Sequence, residues 1–236
     1  MSKYMIIFVH GAGGSADLWK YQVGHLSKKY ETLALDLPGH GALGGKGETT
    51  VDGYAEYVRK KMDELSIQSA ILAGHSMGGA VVMSLALKYP DRCRALILVG
   101  TGAKLRVAPM IFRTIKISYT IAVKMMSKIL FSSKPLSEII SWVEGETRKT
   151  SAETLIGDFT ACDKFDIMNS VGDIKVPTLV ICGREDQMTP EKYSVYLKEH
   201  IGNSALHVIE GAGHMVTVEK PEEVNMWMEK FVGTVV

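Results

Sequence analysis

Cysteine is scarce in this sequence. Cys93, Cys162 and Cys182 stand far apart, which excludes a disulfide framework and shows no metal-ligand spacing, so all three read as reduced thiols. An excess of one charge is missing as well. With 27 Lys and Arg against 26 Asp and Glu, a net charge of +1 gives the whole molecule no electrostatic reason to seek nucleic acid or a strongly acidic partner. No apolar run reaches the roughly 18 residues of a membrane span, because the longest apolar region is interrupted by Arg113, Lys116, Lys124 and Lys128. Membrane association is not expected. The short apolar run at 4–9 follows a single lysine and is too brief for a secretory signal, so a cytoplasmic protein is expected. Internal repeats and low-complexity linkers are absent too.

What is present is an ordinary globular composition, 46% hydrophobic and 22% charged over 236 residues, enough for one domain with a full core and a small insertion. Runs rich in Ile, Val and Leu recur at 5–9, 33–35, 70–73, 96–99, 179–182 and 206–209. They lack the alternation of half-exposed strands and read as buried ones. Between most of them lies helical periodicity, as at 51–65, 79–88 and 190–200. Alternating strands and helices predict an α/β fold with a mostly parallel sheet covered on both faces. The alternation fails after Gly102, and the next strand begins only near residue 177, far beyond one crossover. Residues 1–102 and 177–236 are therefore expected to form the core and 103–176 a helical cap insertion. Within it, 110–131 is apolar with Arg113, Lys116, Thr120, Lys124 and Lys128 recurring every three or four residues, the pattern of one helix face.

The sharpest motif is Gly74-His75-Ser76-Met77-Gly78-Gly79, directly after a strand-like run and before a helix-like one. It fits G-x-S-x-G in its required setting, where a tight turn presents a serine hydroxyl at a helix N-terminus. A hydroxyl is a poor nucleophile until a base removes its proton. Of seven histidines, His214 lies in Gly211-Ala212-Gly213-His214 after the last predicted strand, at the sheet edge where Ser76 is expected. His25 and His200 sit among polar helix residues, and His207 interrupts a strand. The histidine needs a carboxylate to hold its tautomer. Gly183-Arg184-Glu185-Asp186 follows the strand at 179–182, and Asp186 is the preferred partner with Glu185 its nearest competitor. After 96–99 the chain reads Gly100-Thr101-Gly102 and offers no carboxylate. His10-Gly11-Ala12-Gly13-Gly14 closes the first strand, and its small residues let backbone N–H groups approach an oxyanion, with Ala12 and Met77 as candidate donors. It matches neither the dinucleotide fingerprint nor a Walker loop, and no cofactor is expected.

These residues together resemble the α/β-hydrolase family, its small capped esterases, lactonases and thioesterases in particular. The resemblance rests on His10-Gly11, Asp36-Leu37-Pro38-Gly39-His40-Gly41, the turn at Ser76, Gly183-x-x-Asp186-x-x-x-Pro190 and Gly213-His214, in the order Ser, Asp, His. It implies an oxyanion hole at Ala12 and Met77 and a structural role for the turn at 36–41. Family members commonly carry two further strands before the His-Gly loop, which here begins at residue 10, so about six strands are expected. The edge left exposed suits a partner subunit or a short covering segment equally, and a monomer or a homodimer is expected.

The resemblance implies a small-molecule ester-type substrate. Hydrolysis of a carboxylic ester or thioester is the commonest outcome, while lactonases, carbon–carbon hydrolases and cofactor-free haloperoxidases keep the same triad. A small-molecule receptor on this scaffold is the non-enzyme alternative. Met125, Met126 and Trp142 are candidates to line an apolar acyl pocket, or else they pack on the sheet. Seven basic and no acidic residues occur between Lys104 and Lys134; they are read as a solvated face, with a site for a carboxylate-bearing substrate or an anionic membrane surface as the alternatives.

Overall fold

A computed structural model describes residues 5–133 and 135–235. Six strands, β1 (Met5–Val9), β2 (Glu31–Leu35), β3 (Ala70–His75), β4 (Cys93–Val99), β5 (Thr178–Gly183) and β6 (Ser204–Ile209), form one sheet in the order β2-β1-β3-β4-β5-β6. Every neighbouring pair is parallel. The chain runs from β1 outward to β2 and then crosses back to β3 on the other side of β1. That reversal opens a crevice beyond the C-terminal ends of β1 and β3, the usual binding position in an open parallel sheet.

Alternate strand residues explain the continuous apolar runs. Ile7, Val9, Leu72, Leu96 and Leu98 join α2 (Val51–Glu64) and α3 (Met77–Lys88) in one core, while Ile6, Phe8, Ile71, Ile97 and Val99 join α1 (Lys20–Leu26) and α10 (Pro221–Val235) in another. The core helix α8 (Glu191–His200) and the short α9 (Val216–Glu219) complete the layers. Both faces of the sheet are thus buried, so neither face calls for polar side chains.

Between β4 and β5 come α4 (Pro109–Ile117), α5 (Tyr119–Leu130), α6 (Ser137–Thr147) and α7 (Ala152–Lys164). The helix pattern read over 110–131 is therefore two helices, not one. Ser118 leaves helical geometry at φ −158° and its side chain caps α5 by accepting from the Ile121 N–H, which supplies a start signal that apolar periodicity does not report. The segment has a core of its own, in which Ile111, Ile115, Val123, Met126, Leu155 and Phe159 pack together and touch Ala12. Arg113, Lys116, Lys124 and Lys128 are exposed, and Lys134 lies outside the described residues. Among the described residues no helix is long and apolar enough to cross a membrane.

Candidate active site

Ser76 stands between β3 and α3 with φ 52° and ψ −119°. A non-glycine residue at positive φ is costly, and the surroundings hold it there: its N–H donates to the Val99 carbonyl (2.9 Å) and its own carbonyl accepts from the Thr101 hydroxyl (2.8 Å). The glycines of the motif are required by contact. A Cβ on Gly74 would lie 2.2 Å from the Gly78 carbonyl oxygen, and one on Gly78 would lie 2.2 Å from that of Val9. The strand, turn and helix can approach this closely only without side chains at those positions. Met77 is the first residue of α3, so its N–H has no intrahelical acceptor. Among the described residues the Ala12 N–H likewise meets no acceptor, and Ala12 lines two cavities that Ser76 also lines.

Asp186 and His214 meet. His214 Nδ1 donates to Asp186 Oδ2 at 2.9 Å, and both side chains are buried. The carboxylate is gripped by its own loop: the N–H groups of Met188 and Thr189 donate to Oδ1 at 2.8 and 2.9 Å, and the Thr189 hydroxyl donates to Oδ2 at 2.8 Å. Burial alone would raise the Asp186 carboxyl, but the His214 ring and the Thr189 bonds outweigh it and hold it below the usual carboxylate range. Glu185, the competitor, points elsewhere and accepts from the Ser133 N–H (2.7 Å). His75 donates from Nε2 to the His214 carbonyl (2.9 Å). Burial and the neighbouring His214 hold it at about 3, so it stays neutral.

Ser76 and His214 share the wall of one apolar cavity with Ala12, Leu18, Met126, Leu130, Val143, Phe159, Met188 and Met215. No direct hydrogen bond joins Ser76 to His214; such contacts commonly tighten around bound substrate. Of the three side chains expected to line an acyl pocket, Met126 lines this cavity, while Met125 and Trp142 do not. Met125 precedes Met126 on α5, about 100° around the helix from it. Trp142 packs edge-on to Tyr21 with the Lys20 ammonium 3.5 Å from its ring centre. Phe159, Met188 and Met215 were not singled out by sequence; only their neighbourhood to the expected triad residues could have drawn attention to the last two. A second cavity beside Ser76 is lined by Leu105, Arg106, Val107 and Tyr193, and of the described basic residues between 104 and 134 only Arg106 reaches either one. Among the described residues no group of three or more His, Cys, Asp or Glu is arranged to hold a metal ion.

The sheet order and the crevice at its reversal are those of the α/β-hydrolase fold. The chain belongs to the Alpha/beta hydrolase family, whose sequence signature matches residues 6–227. It is 29% identical over 234 residues to 3-oxoadipate enol-lactonase 2 of Acinetobacter baylyi, covering 95% of this chain and 86% of that protein. It is also 29% identical over 245 residues to 2-hydroxy-6-oxo-6-phenylhexa-2,4-dienoate hydrolase of Comamonas testosteroni, covering 93% of this chain and 84% of that protein. Among solved structures, a thermophilic esterase superposes with a TM-score of 0.86 at 39% identity, over 98% of this chain and 90% of that one. The enol-lactonase of Burkholderia xenovorans LB400 superposes at 0.92 with 24% identity, over 99% of this chain and 92% of that one, and shows the fold alone.

Proposed function

We propose that this protein is a carboxylic ester hydrolase acting on small to medium, apolar acyl groups through an acyl-enzyme on Ser76. The observation that carries this reading is that the Asp186–His214 pair opens onto the same apolar cavity as the strained serine. As Ser76 Oγ attacks the carbonyl carbon, His214 Nε2 takes its proton, and Asp186 stabilises the imidazolium that results. The N–H groups of Ala12 and Met77 receive the oxyanion. Collapse of the tetrahedral intermediate breaks the bond to the leaving oxygen, which takes the proton from His214. Water then repeats the sequence and frees the acid. In this reading residues 103–176 cap the site, and Met126, Leu130 and Phe159 give the acyl chain its apolar contact.

The relative named an esterase, at 39% identity, supports ester hydrolysis over lactone opening. A second reading, an ester bearing a carboxylate, is favoured by Arg106 at the cavity beside Ser76. One panel tests both: purified protein against p-nitrophenyl esters of increasing length, a monoester of a dicarboxylic acid, lactones and acyl-CoA thioesters. Neutral esters should turn over best, with rate rising along the acyl chain until the cavity is full. A tenfold preference for the acidic ester that disappears with added salt would select the second reading. Ser76→Ala should lower turnover by 10⁴-fold or more, and a fluorophosphonate should label Ser76. Retained turnover in that variant, or labelling at another serine, would remove the proposal.

A further inference from the structure

The oxyanion loop is held by the helical segment rather than by the sheet alone. Asp158 of α7 is fully buried, and donors from three distant parts of the chain converge on it. The Gly13 N–H and His40 Nε2 each lie 2.8 Å from Oδ2, and the Tyr54 hydroxyl lies 2.6 Å from Oδ1. The Glu48 N–H donates to the Tyr54 oxygen (3.0 Å), which leaves the hydroxyl hydrogen for Asp158. His40 turns Nδ1 to the Pro38 carbonyl (3.0 Å) and Nε2 to the Asp158 carboxyl, so both ring nitrogens are engaged by protein oxygens. Burial opposes a charge on this ring, but Asp158 and Pro38 outweigh it and raise His40 above the ordinary histidine value. The neighbouring His10, 4.8 Å away between ring centres, is the neutral member: burial and the His40 charge lower it to about 4.

A buried ion pair adds little net stability over apolar packing, and a histidine with both nitrogens engaged cannot move a proton. Its position supplies a different use. Gly13 follows Ala12 directly and sits at φ +64°, so the bond from Asp158 fixes the peptide that comes next after the Ala12 N–H. Glu146 of α6 grips the same loop two residues on, accepting from the Ser15 hydroxyl at 2.7 Å. The far side of the site is tied too, through the Met215 N–H donating to the Leu130 carbonyl (3.0 Å) at the end of α5.

We propose that Asp158 is a positioning residue: from α7 it sets the main chain of the oxyanion loop at Gly13, so that the helical segment completes the hole and is not a freely swinging lid. This rests on the reading of Ala12 as an oxyanion donor. Losing such a donor costs about 10²–10³-fold in rate, so releasing its neighbour is expected to cost roughly 10–100-fold.

The test compares wild type, Asp158→Asn and Asp158→Ala on p-nitrophenyl acetate, with a boronic acid as mimic of the tetrahedral intermediate. In Asp158→Ala, kcat should fall about 10–100-fold with KM within threefold, and boronate affinity should weaken in proportion. Asp158→Asn, whose oxygen can still accept from Gly13, should recover part of both. A folded alanine variant with kcat and boronate affinity within twofold of wild type overturns the proposal. So does a loss carried by KM alone. A wild-type protein that neither turns over esters nor reacts with fluorophosphonate would instead sink the hydrolase reading, so the two failures are distinct. If neither variant folds, hydrogen exchange in wild type decides. The Gly13 amide should open together with the amides of α7, and exchange there more than tenfold faster than in α7 overturns the proposal.

Discussion

Two buried histidine–carboxylate pairs lie beyond the C-terminal edge of the sheet, His214–Asp186 at 2.9 Å and His40–Asp158 at 2.8 Å. Their chemistry is the same and their connections are not. Asp186 is held by N–H groups two and three residues along its own loop, so the carboxylate needs nothing from the rest of the fold to be oriented. Asp158 accepts from residues 104 to 145 positions away in sequence. His214 spends one nitrogen on its carboxylate and lines the cavity beside Ser76, whereas His40 spends both on protein acceptors. Burial beside a carboxylate does not make a base. A base also needs a nitrogen left over for the nucleophile's proton.

The largest expected effect divides the pairs most sharply. Asp186→Asn should lower kcat by roughly 10³–10⁴-fold, because the amide favours the wrong histidine tautomer and cannot stabilise the imidazolium. Glu185→Gln should stay within about twofold. Ester hydrolysis by the two variants checks this, and comparable losses would break the distinction between the carboxylates.

Next comes stability against pH, where the pairs should fail at opposite ends. Asp186 is depressed in the fold, so its contribution is present above the unfolded value and is lost as pH falls through the folded one. His10 and His75 act in the same direction. Held at about 4 and about 3, they bind protons more readily when unfolded, and between neutral pH and pH 4 each should remove on the order of 3 kcal/mol. His40 is raised, so its contribution is full below the unfolded value and is lost as pH rises through the folded one. Tm followed from pH 2 to 10 should therefore fall on both limbs, and Asp158→Asn should flatten only the alkaline one. An alkaline limb unchanged by that substitution would show that the His40 pair does not titrate as described.

The smallest effect concerns adjacent methionines. Each buried methylene is worth at most about 0.8 kcal/mol, so two more could raise kcat/KM by roughly tenfold until the cavity is full. Met126→Ala should shift or flatten this chain-length profile severalfold, while Met125→Ala should leave it unchanged. Equal profiles in both variants would return Met126 to a packing role.

Much of this was legible residue by residue. The runs at 5–9 and 179–182 could be read as buried strands because both faces of β1 and β5 lie in cores, and a side chain with no wet face need not alternate. The turn at Ser76 was legible for a local reason, since a Cβ added to Gly74 or Gly78 would lie 2.2 Å from a backbone oxygen and is excluded. The break at Ser118 was hidden because apolar spacing continues across it while the backbone does not. Met125 and Met126 were inseparable in sequence, since which of two adjacent side chains faces inward depends on how α5 is rotated against its neighbours.

The sequence by itself determined the alternating sheet, the strained serine turn and the loop that grips Asp186, because each depends on short-range rules of backbone geometry, burial and loop hydrogen bonding. Tertiary structure alone decided which residues of the helical segment reach the cavity and that Asp158 joins Gly13, His40 and Tyr54. Those contacts span 104 to 145 residues of chain, and no local pattern encodes a partner chosen only when the helical segment closes on the core.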